Sequence, residues 1–188
     1  LAGSRVRVAE QFSNGDIYVG TTSGLSIISS DGTITNITKN EEIQNDYIMC
    51  IHEDKDGSVW VGTDGGGIFV LKDKQVVKKF TKDDNLSGNV IFKILNLRDD
   101  ELWICTGTGL SIYKNDQIFS FSSVSGLGYD SVFQVILDYT QKIWFTTNQG
   151  IFNLKLSEID EVMAGTKNYV NPKFFTRQDG IDSGGVTS

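Results

Sequence analysis

Residues 54–68 read Asp-Lys-Asp-Gly-Ser-Val-Trp-Val-Gly-Thr-Asp-Gly-Gly-Gly-Ile, and the order of residue types dictates a β-meander. Asp54-Lys55-Asp56-Gly57 is a turn, because Asp-Gly between β-rich runs puts a residue that tolerates positive φ where a hairpin needs one. Val59–Thr63 is β-branched and aromatic and reads as a strand. Asp64–Gly67 makes a second tight turn, and Ile68–Leu71 is the next strand. Ile48–Glu53 precedes them as the first strand of the unit. Downstream, Lys72-Asp73-Lys74 turns the chain into Val76–Thr81, the fourth.

The unit recurs. Tyr18, Trp60, Trp103 and Trp144 lie 42, 43 and 41 residues apart, and Thr21, Thr63, Thr106 and Thr147 follow each by three. Gly24-Leu25, Gly67-Ile68, Gly109-Leu110 and Gly150-Ile151 come next. Upstream, Ile48 with Ile51, Ile91 with Ile94 and Val132 with Val135 form a further column, which Val6 joins in the first unit. A period of about 40–45 residues suits four short strands, one propeller blade, whereas HEAT and armadillo solenoids of that period are helical. The expected fold is therefore all-β: a β-propeller segment of about four blades, with units at 5–47, 48–90, 91–131 and 132–188. Tyr18, Trp60, Trp103 and Trp144 are expected to fill the space between adjacent sheets. The Gly column lets the chain reverse without a Cβ clash.

The fourth unit departs from the others. Leu156–Gly165 reads as a helix, with Ser157 and Asp160 as a capping pair, Ile159, Val162 and Met163 on one face, and Gly165 as the stop. The blade-exit column Ile43, Leu86 and Leu127 next recurs at Ile181, 54 residues on. The excess of about a dozen residues is expected as a surface insertion. Four units make either a small ring or part of a larger propeller. The larger is preferred, because neither terminus shows an obvious closing strand.

Composition narrows the chemistry. The 188 residues include 20 Gly, two Cys and one His, with a net charge of −7. That length suits one domain with its own core. An acidic balance without a Lys/Arg cluster argues against nucleic acid, whose binding rests on neutralising phosphates. No apolar run reaches the roughly 18 residues of a spanning helix, so no membrane insertion is expected. Leu1–Glu10 lacks a secretory apolar core, which points to a cytosolic or an already processed chain.

The candidate chemistry is thin. His52 is read as an ordinary strand residue rather than a base, and a single His disfavours zinc. Asp54-Lys55-Asp56-Gly57 opens like a calcium loop, but its twelfth position is Gly65 instead of a bidentate Glu. Asp83-Asp84 and Asp99-Asp100 read as solvated turn charges. Cys50 and Cys105 form no C-x-x-C pair and read as buried thiols; two positions do not establish a disulfide. Asp64–Gly67 lacks the Lys-Ser/Thr and the helix of a phosphate loop. No catalytic residue, metal site or cofactor is expected.

Recognition falls to loops held on a rigid scaffold. The segments leading into each first strand, Gln44–Tyr47, Ser87–Val90 and Gly128–Ser131, differ more between units than the strands do. Tyr47, Asn89, Tyr129 and Asp130 offer stacking and hydrogen-bonding groups suited to a sugar. They are the candidate ligand-binding residues, with ordinary polar turns as the alternative.

The phrase Asp-x-Asp-Gly-x-Val/Leu-Trp-Val/Ile-Gly-Thr-x-x-Gly-Gly/Leu-Ile/Leu, matched best by Asp54–Ile68, resembles the repeat of two-component regulator propellers. These fill the periplasmic sensor region of bacterial hybrid two-component systems, commonly of Bacteroidetes. The resemblance covers about residues 5–188, although the fourth unit has Asp138-Tyr139-Thr140-Gln141 in place of the Asp-x-Asp-Gly turn. Its helix and Phe174–Ile181 resemble the final repeats of such sensors, which precede a small β-sandwich. The resemblance implies part of a receptor with two seven-bladed propellers, periplasmic and membrane-anchored in its parent protein. It further implies recognition of glycan fragments and control of polysaccharide-utilisation genes through a kinase and regulator outside this chain. The implied partners are an oligosaccharide and the remainder of the receptor. A homodimer through an open blade edge is a further expectation from the sheet edges themselves. The alternatives are a structural or protein-interaction propeller without a small ligand and, more weakly, a propeller enzyme acting on polysaccharide.

Overall fold

The four units fold as four separate four-stranded antiparallel sheets in a computed structural model that describes residues 1–40, 43 and 45–181. Gln44 of the second linker and residues 182–188 of the last unit lie outside them. The first sheet is β1 (Val6–Gln11), β2 (Ile17–Thr21), β3 (Gly24–Ile28) and β4 (Ile34–Ile37). The second is β5 (Ile48–Glu53), β6 (Val59–Thr63), β7 (Ile68–Lys72) and β8 (Gln75–Phe80). The third is β9 (Ile91–Arg98), β10 (Glu101–Thr106), β11 (Gly109–Lys114) and β12 (Gln117–Phe121). The fourth is β13 (Gln134–Leu137), β14 (Lys142–Thr147), β15 (Gly150–Lys155) and β16 (Lys173–Phe175). Each sheet pairs consecutive strands, and the first strands β1, β5, β9 and β13 lie against one another in turn. The expected strands of the second unit hold to within a residue at each end.

Alternation along the strands gives each inner sheet two apolar faces, and the cores lie between sheets. Tyr18, Leu25 and Ile27 pack on Val61, Phe69 and Leu71. Trp60, Ile68 and Val70 pack on Ile94, Leu102 and Ile104. Trp103, Leu110 and Ile112 pack on Val135, Phe145 and Phe152. The linker residues Ile43, Leu86 and Leu127 each plug one of these three cores. Trp144 breaks the expectation. Among the described residues no sheet covers its side of β14; it is half-buried and stacks on Phe175 with ring centroids 5.2 Å apart.

The insertion is exposed on one side only, with Ser157, Asp160 and residues 164–169 on the surface. Helix α1 (Leu156–Met163) buries Leu156 and Ile159 in the core between the third and fourth sheets. It starts straight from β15, with Lys155 at the N-cap, no side-chain cap, and the Leu156 N–H donating to the Gln141 carbonyl at 3.0 Å. Ser157 therefore sits inside the helix and caps nothing, while Asp160 pairs with Arg98 at 2.8 Å. Gly165, at φ +72°, follows the helix as its stop.

The Thr column is a set of hydrogen-bonded clips. The buried Thr21, Thr63, Thr106 and Thr147 hydroxyls donate to the carbonyls of Gly24, Gly67, Gly109 and Gly150 at 2.8, 2.8, 3.0 and 2.8 Å. Each oxygen also accepts a backbone N–H of the same hairpin, from Thr108 at 3.2 Å in the third sheet. Thr106→Val would remove both bonds, the one to the Gly109 carbonyl being buried, a loss of about 2 kcal/mol. Thr106→Ser keeps the hydroxyl and should retain most of it. Urea titrations of the two variants make the comparison, and equal losses would mean that the clip is not what Thr106 contributes.

Candidate ligand-binding face

Topology places all the linkers on one end of the sheets, together with the tight turns between second and third strands. The linkers are stapled to those turns. The Asp64 N–H donates to the Tyr47 carbonyl at 2.9 Å, and the Gly65 and Gly67 N–H groups donate to the Asn89 carbonyl at 3.1 and 2.8 Å. Further on, the Gly107 N–H reaches the Val90 carbonyl at 2.9 Å and the Ser131 hydroxyl reaches the Gly107 carbonyl at 3.2 Å. The Thr108 hydroxyl donates to the Ser87 carbonyl. The backbone of this end is therefore fixed, which is what a preorganised recognition surface requires.

The four candidate residues fall on this end in successive linkers, and among the described residues no hydrogen bond joins one to another. Tyr47 is half-buried, with the Arg7 guanidinium 5.7 Å from its ring centroid. The Asn89 side-chain oxygen accepts the Lys82 N–H at 2.8 Å and so helps shape its own linker. Tyr129 is half-buried against Phe174, centroids 4.8 Å apart, and Phe152, 6.2 Å apart. Asp130 is exposed.

A cleft of about 270 Å³ opens on the same end, lined by Ile43, Asn45, Phe69, Lys79, Thr81 and Asp83. The Asn45 side chain accepts the Tyr47 N–H at 2.9 Å and donates to the Asp64 carbonyl, which holds one wall. Thr81 and Asp84 form a reciprocal capping box around the short 3-10 turn Lys82–Asp84, which holds the other. The Thr-x-x-Asp pattern at 81–84 was readable as a capping signal. Asn45 carried no comparable signal, because its partner lies across a hairpin.

The opposite end ties the sheets together through charge. Lys74 reaches Asp16 at 2.8 Å, Lys55 reaches Asp99 at 2.6 Å and Lys78 reaches Asp116 at 2.9 Å, each pair joining adjacent sheets. Glu101 lies buried at the same end, held by Arg98, Lys114 and the Trp103 indole N–H. Burial alone would raise its pKa, but these three donors hold it below the usual carboxylate range. Asp138 accepts the Trp144 indole N–H at 2.8 Å and the Thr140 hydroxyl at 2.7 Å, which hold its carboxyl far below that range. The calcium-like turn is occupied by its own fold, Asp56 taking the Ser58 N–H at 2.9 Å and Lys72 at 3.3 Å. Among the described residues no group of three His, Cys, Asp or Glu is arranged to hold a metal.

The remaining candidates for chemistry are structural. His52 Nε2 lies 2.7 Å from the Asn96 side-chain oxygen, bridging β5 and β9. Cys50 and Cys105 are free and buried, and burial pushes the Cys50 thiol up to about 12 and Cys105 up as well.

Residues 42–65 match the family described as two component regulator propeller. That match covers one of the four repeat units. The match spans the linker holding Asn45 and Tyr47, the strands β5 and β6, and the turn between them. Among solved structures, the chain resembles the extracellular domain of the putative hybrid two component system BT3049 from B. thetaiotaomicron. The TM-score is 0.76 at 24% identity, covering 96% of this chain and 24% of that one. The extracellular domain of the putative one component system BT4673 from the same organism gives a TM-score of 0.66 at 22% identity, covering 84% and 21%. Virginiamycin B lyase from Staphylococcus aureus gives 0.65 at 14% identity, covering 93% and 57%. The chain thus spans about a quarter of the length of these extracellular domains. Comparison with curated proteins gives no match. Among the described residues no helix is long and apolar enough to cross a membrane.

Proposed function

We propose that this chain is the recognition part of an extracellular, periplasmic sensor region of a hybrid two-component system, and that it responds to glycan fragments. Its parent would then regulate polysaccharide-utilisation genes. The observation that carries the reading is the regulator propeller repeat at residues 42–65, because it falls on the sheet whose linker walls the 270 Å³ cleft. Asn45, Lys79, Thr81 and Asp83 around an apolar floor of Ile43 and Phe69 suit a sugar ring, with hydroxyls to bond and one face to cover. Tyr47 lies in the same linker as Asn45, and Asp130 stands on the same end in the linker before β13. Signalling would follow if the glycan binds one arrangement of the receptor more tightly than another, which shifts the population toward it. Recognition is favoured over catalysis because the one His is spent on Asn96 and both thiols are buried.

The test is a thermal-shift screen of the chain against defined plant and host oligosaccharides. A glycan present at a hundred times its Kd adds about 2.7 kcal/mol, which raises Tm by roughly 5–10 °C for a domain of this size. Asn45→Ala should remove the shift, and Asp130→Ala, on an exposed side chain, should leave the unliganded Tm unchanged. No shift with any glycan would favour a protein-interaction propeller instead. Sugar fragments released from a polysaccharide would revive the enzyme reading.

A further inference from the structure

Each unit sets an aromatic ring at the same place on its second strand, and in the third and fourth the indole N–H meets a carboxylate. Trp103 Nε1 donates to Glu101 at 3.1 Å, and Trp144 Nε1 donates to Asp138 at 2.8 Å. Glu101 stands two residues before its tryptophan and Asp138 six, so their counterparts in the second unit are Ser58 and Asp54. The rings correspond as well. Trp60 stacks on Phe80 at 5.3 Å and Trp144 on Phe175 at 5.2 Å, and the two phenylalanines hold the same register position on their fourth strands. Trp60 nonetheless lacks an acceptor. Its residue is 3% exposed, and its Nε1 is buried and unpaired among the described residues. Buried donors are almost always paired, so one left open is a place for an acceptor from outside the chain.

The acids nearby are engaged elsewhere. Asp54 takes the Lys55 N–H at 2.8 Å, and Asp56 takes the Ser58 N–H at 2.9 Å, the Ser58 hydroxyl and Lys72. With Trp60, these residues share a cleft of about 250 Å³ between the second and third sheets, which Lys78 and Tyr113 also line. Lys72 holds the register position of Lys114 beside Glu101, but Asp56 already neutralises it. Charge decides the guest. Asp54 and Asp56 balance Lys72 and Lys78, and Asp116 holds Lys78 at 2.9 Å, so a ligand carboxylate gains no net attraction. A hydroxyl suits the cleft better, because it accepts the indole N–H and donates onward to a carboxylate. Val70, Val77 and the Tyr113 ring give the body of the ligand an apolar wall.

We propose that this cleft is a second ligand site, which takes one neutral sugar residue through a hydroxyl on Trp60 Nε1. The N–H is shut off from water, so the sugar enters by displacing the half-exposed side chains of Lys72 and Lys78. The site lies at the opposite end of the sheets from the 270 Å³ cleft and shares no lining residue with it. It stands on these side chains and not on the reading of the linker end.

The chain has three tryptophans, so its proton–nitrogen correlation spectrum holds three indole resonances, and Trp60→Phe assigns the one at issue. Titration with glucose, galactose and xylose through the millimolar range should move that resonance downfield, the mark of a new acceptor. Those of Trp103 and Trp144 should stay in place. Asn45→Ala, in the linker-end cleft, should leave the response unchanged. Trp60→Phe keeps the ring but removes the donor, and should weaken binding about tenfold, read at the Ser58 and Val70 amides. Ser58→Glu supplies the carboxylate that Glu101 supplies in the third sheet. It should move the resonance downfield without sugar and abolish the response; Trp60→Phe decides alone if that variant loses its β-sheet circular dichroism. No response to any of these sugars, a response lost in Asn45→Ala, or tighter binding of glucuronate than of glucose would each overturn the proposal. So would a ligand-free Trp60 resonance that Asp54→Ala moves upfield, because Asp54 would then be the acceptor.

Discussion

Replacing Gly109 with Ala is expected to remove about 3–5 kcal/mol of folding stability, the range where strain and overpacking combine. Gly109 opens β11 at φ +142°, a conformation that side chains rarely adopt. A Cβ there would lie 2.1 Å from the Phe121 carbonyl oxygen and 3.1 Å from its carbon. Those are backbone atoms of β12, and the Phe121 ring is itself buried between sheets, so the obstacle cannot swing aside. The Gly109 carbonyl is also held by Thr106, which resists rotation of the hairpin. Gly15 provides the control: it has φ +84°, but nothing lies within 4 Å of an added Cβ. Gly15→Ala should lose only about 1 kcal/mol, the strain of positive φ alone. Urea denaturation of both variants measures the difference. Equal losses would show that close approach of the fourth strand is not what the Gly column serves.

Local chemistry explains how much of this was legible in the sequence. Strand boundaries could be read because Asp-Gly turns and β-branched runs act over a few residues, and four copies reinforce one another. The Thr column was visible as a repeat, but its role as a hairpin clip depends on a register that only pairing supplies. Glu101 was invisible. It follows Asp99-Asp100 in what looks like a solvated acidic turn, and its partner Lys114 is brought over from β11. Trp144 shares a column with Trp103 yet differs in burial, because its surroundings are set by tertiary neighbours such as Phe175. The linker end was legible from topology. That Asn89 accepts the Lys82 N–H and that Tyr129 packs on Phe174 was not, since both depend on how the linkers fold back.

Glu101→Ala is the second large effect, and its origin is charge. The carboxylate is 2% exposed and receives Arg98 through two bonds of 2.8 and 2.7 Å, Lys114 at 2.9 Å and the Trp103 indole N–H at 3.1 Å. Removing it leaves two cations facing each other and a buried indole donor without an acceptor. Arg98 and Lys114 keep 24% and 38% of their side-chain surface in solvent, and Arg98 retains Asp160, so the loss falls at the low end for a broken buried pair, about 3 kcal/mol. The pH dependence separates charge from packing. Because the folded-state pKa is depressed, the ionised Glu101 contributes fully above its ordinary value of 4.5 and loses that contribution as pH falls through the lower folded value. Glu101→Gln keeps the shape without the charge. Its deficit relative to the natural chain should be constant near neutrality and shrink steadily below pH 4.5. Chemical denaturation across that range reads it directly. A deficit that does not change with pH would mean that the side chain acts by filling space, because only a carboxylate that titrates in the folded state can carry the slope.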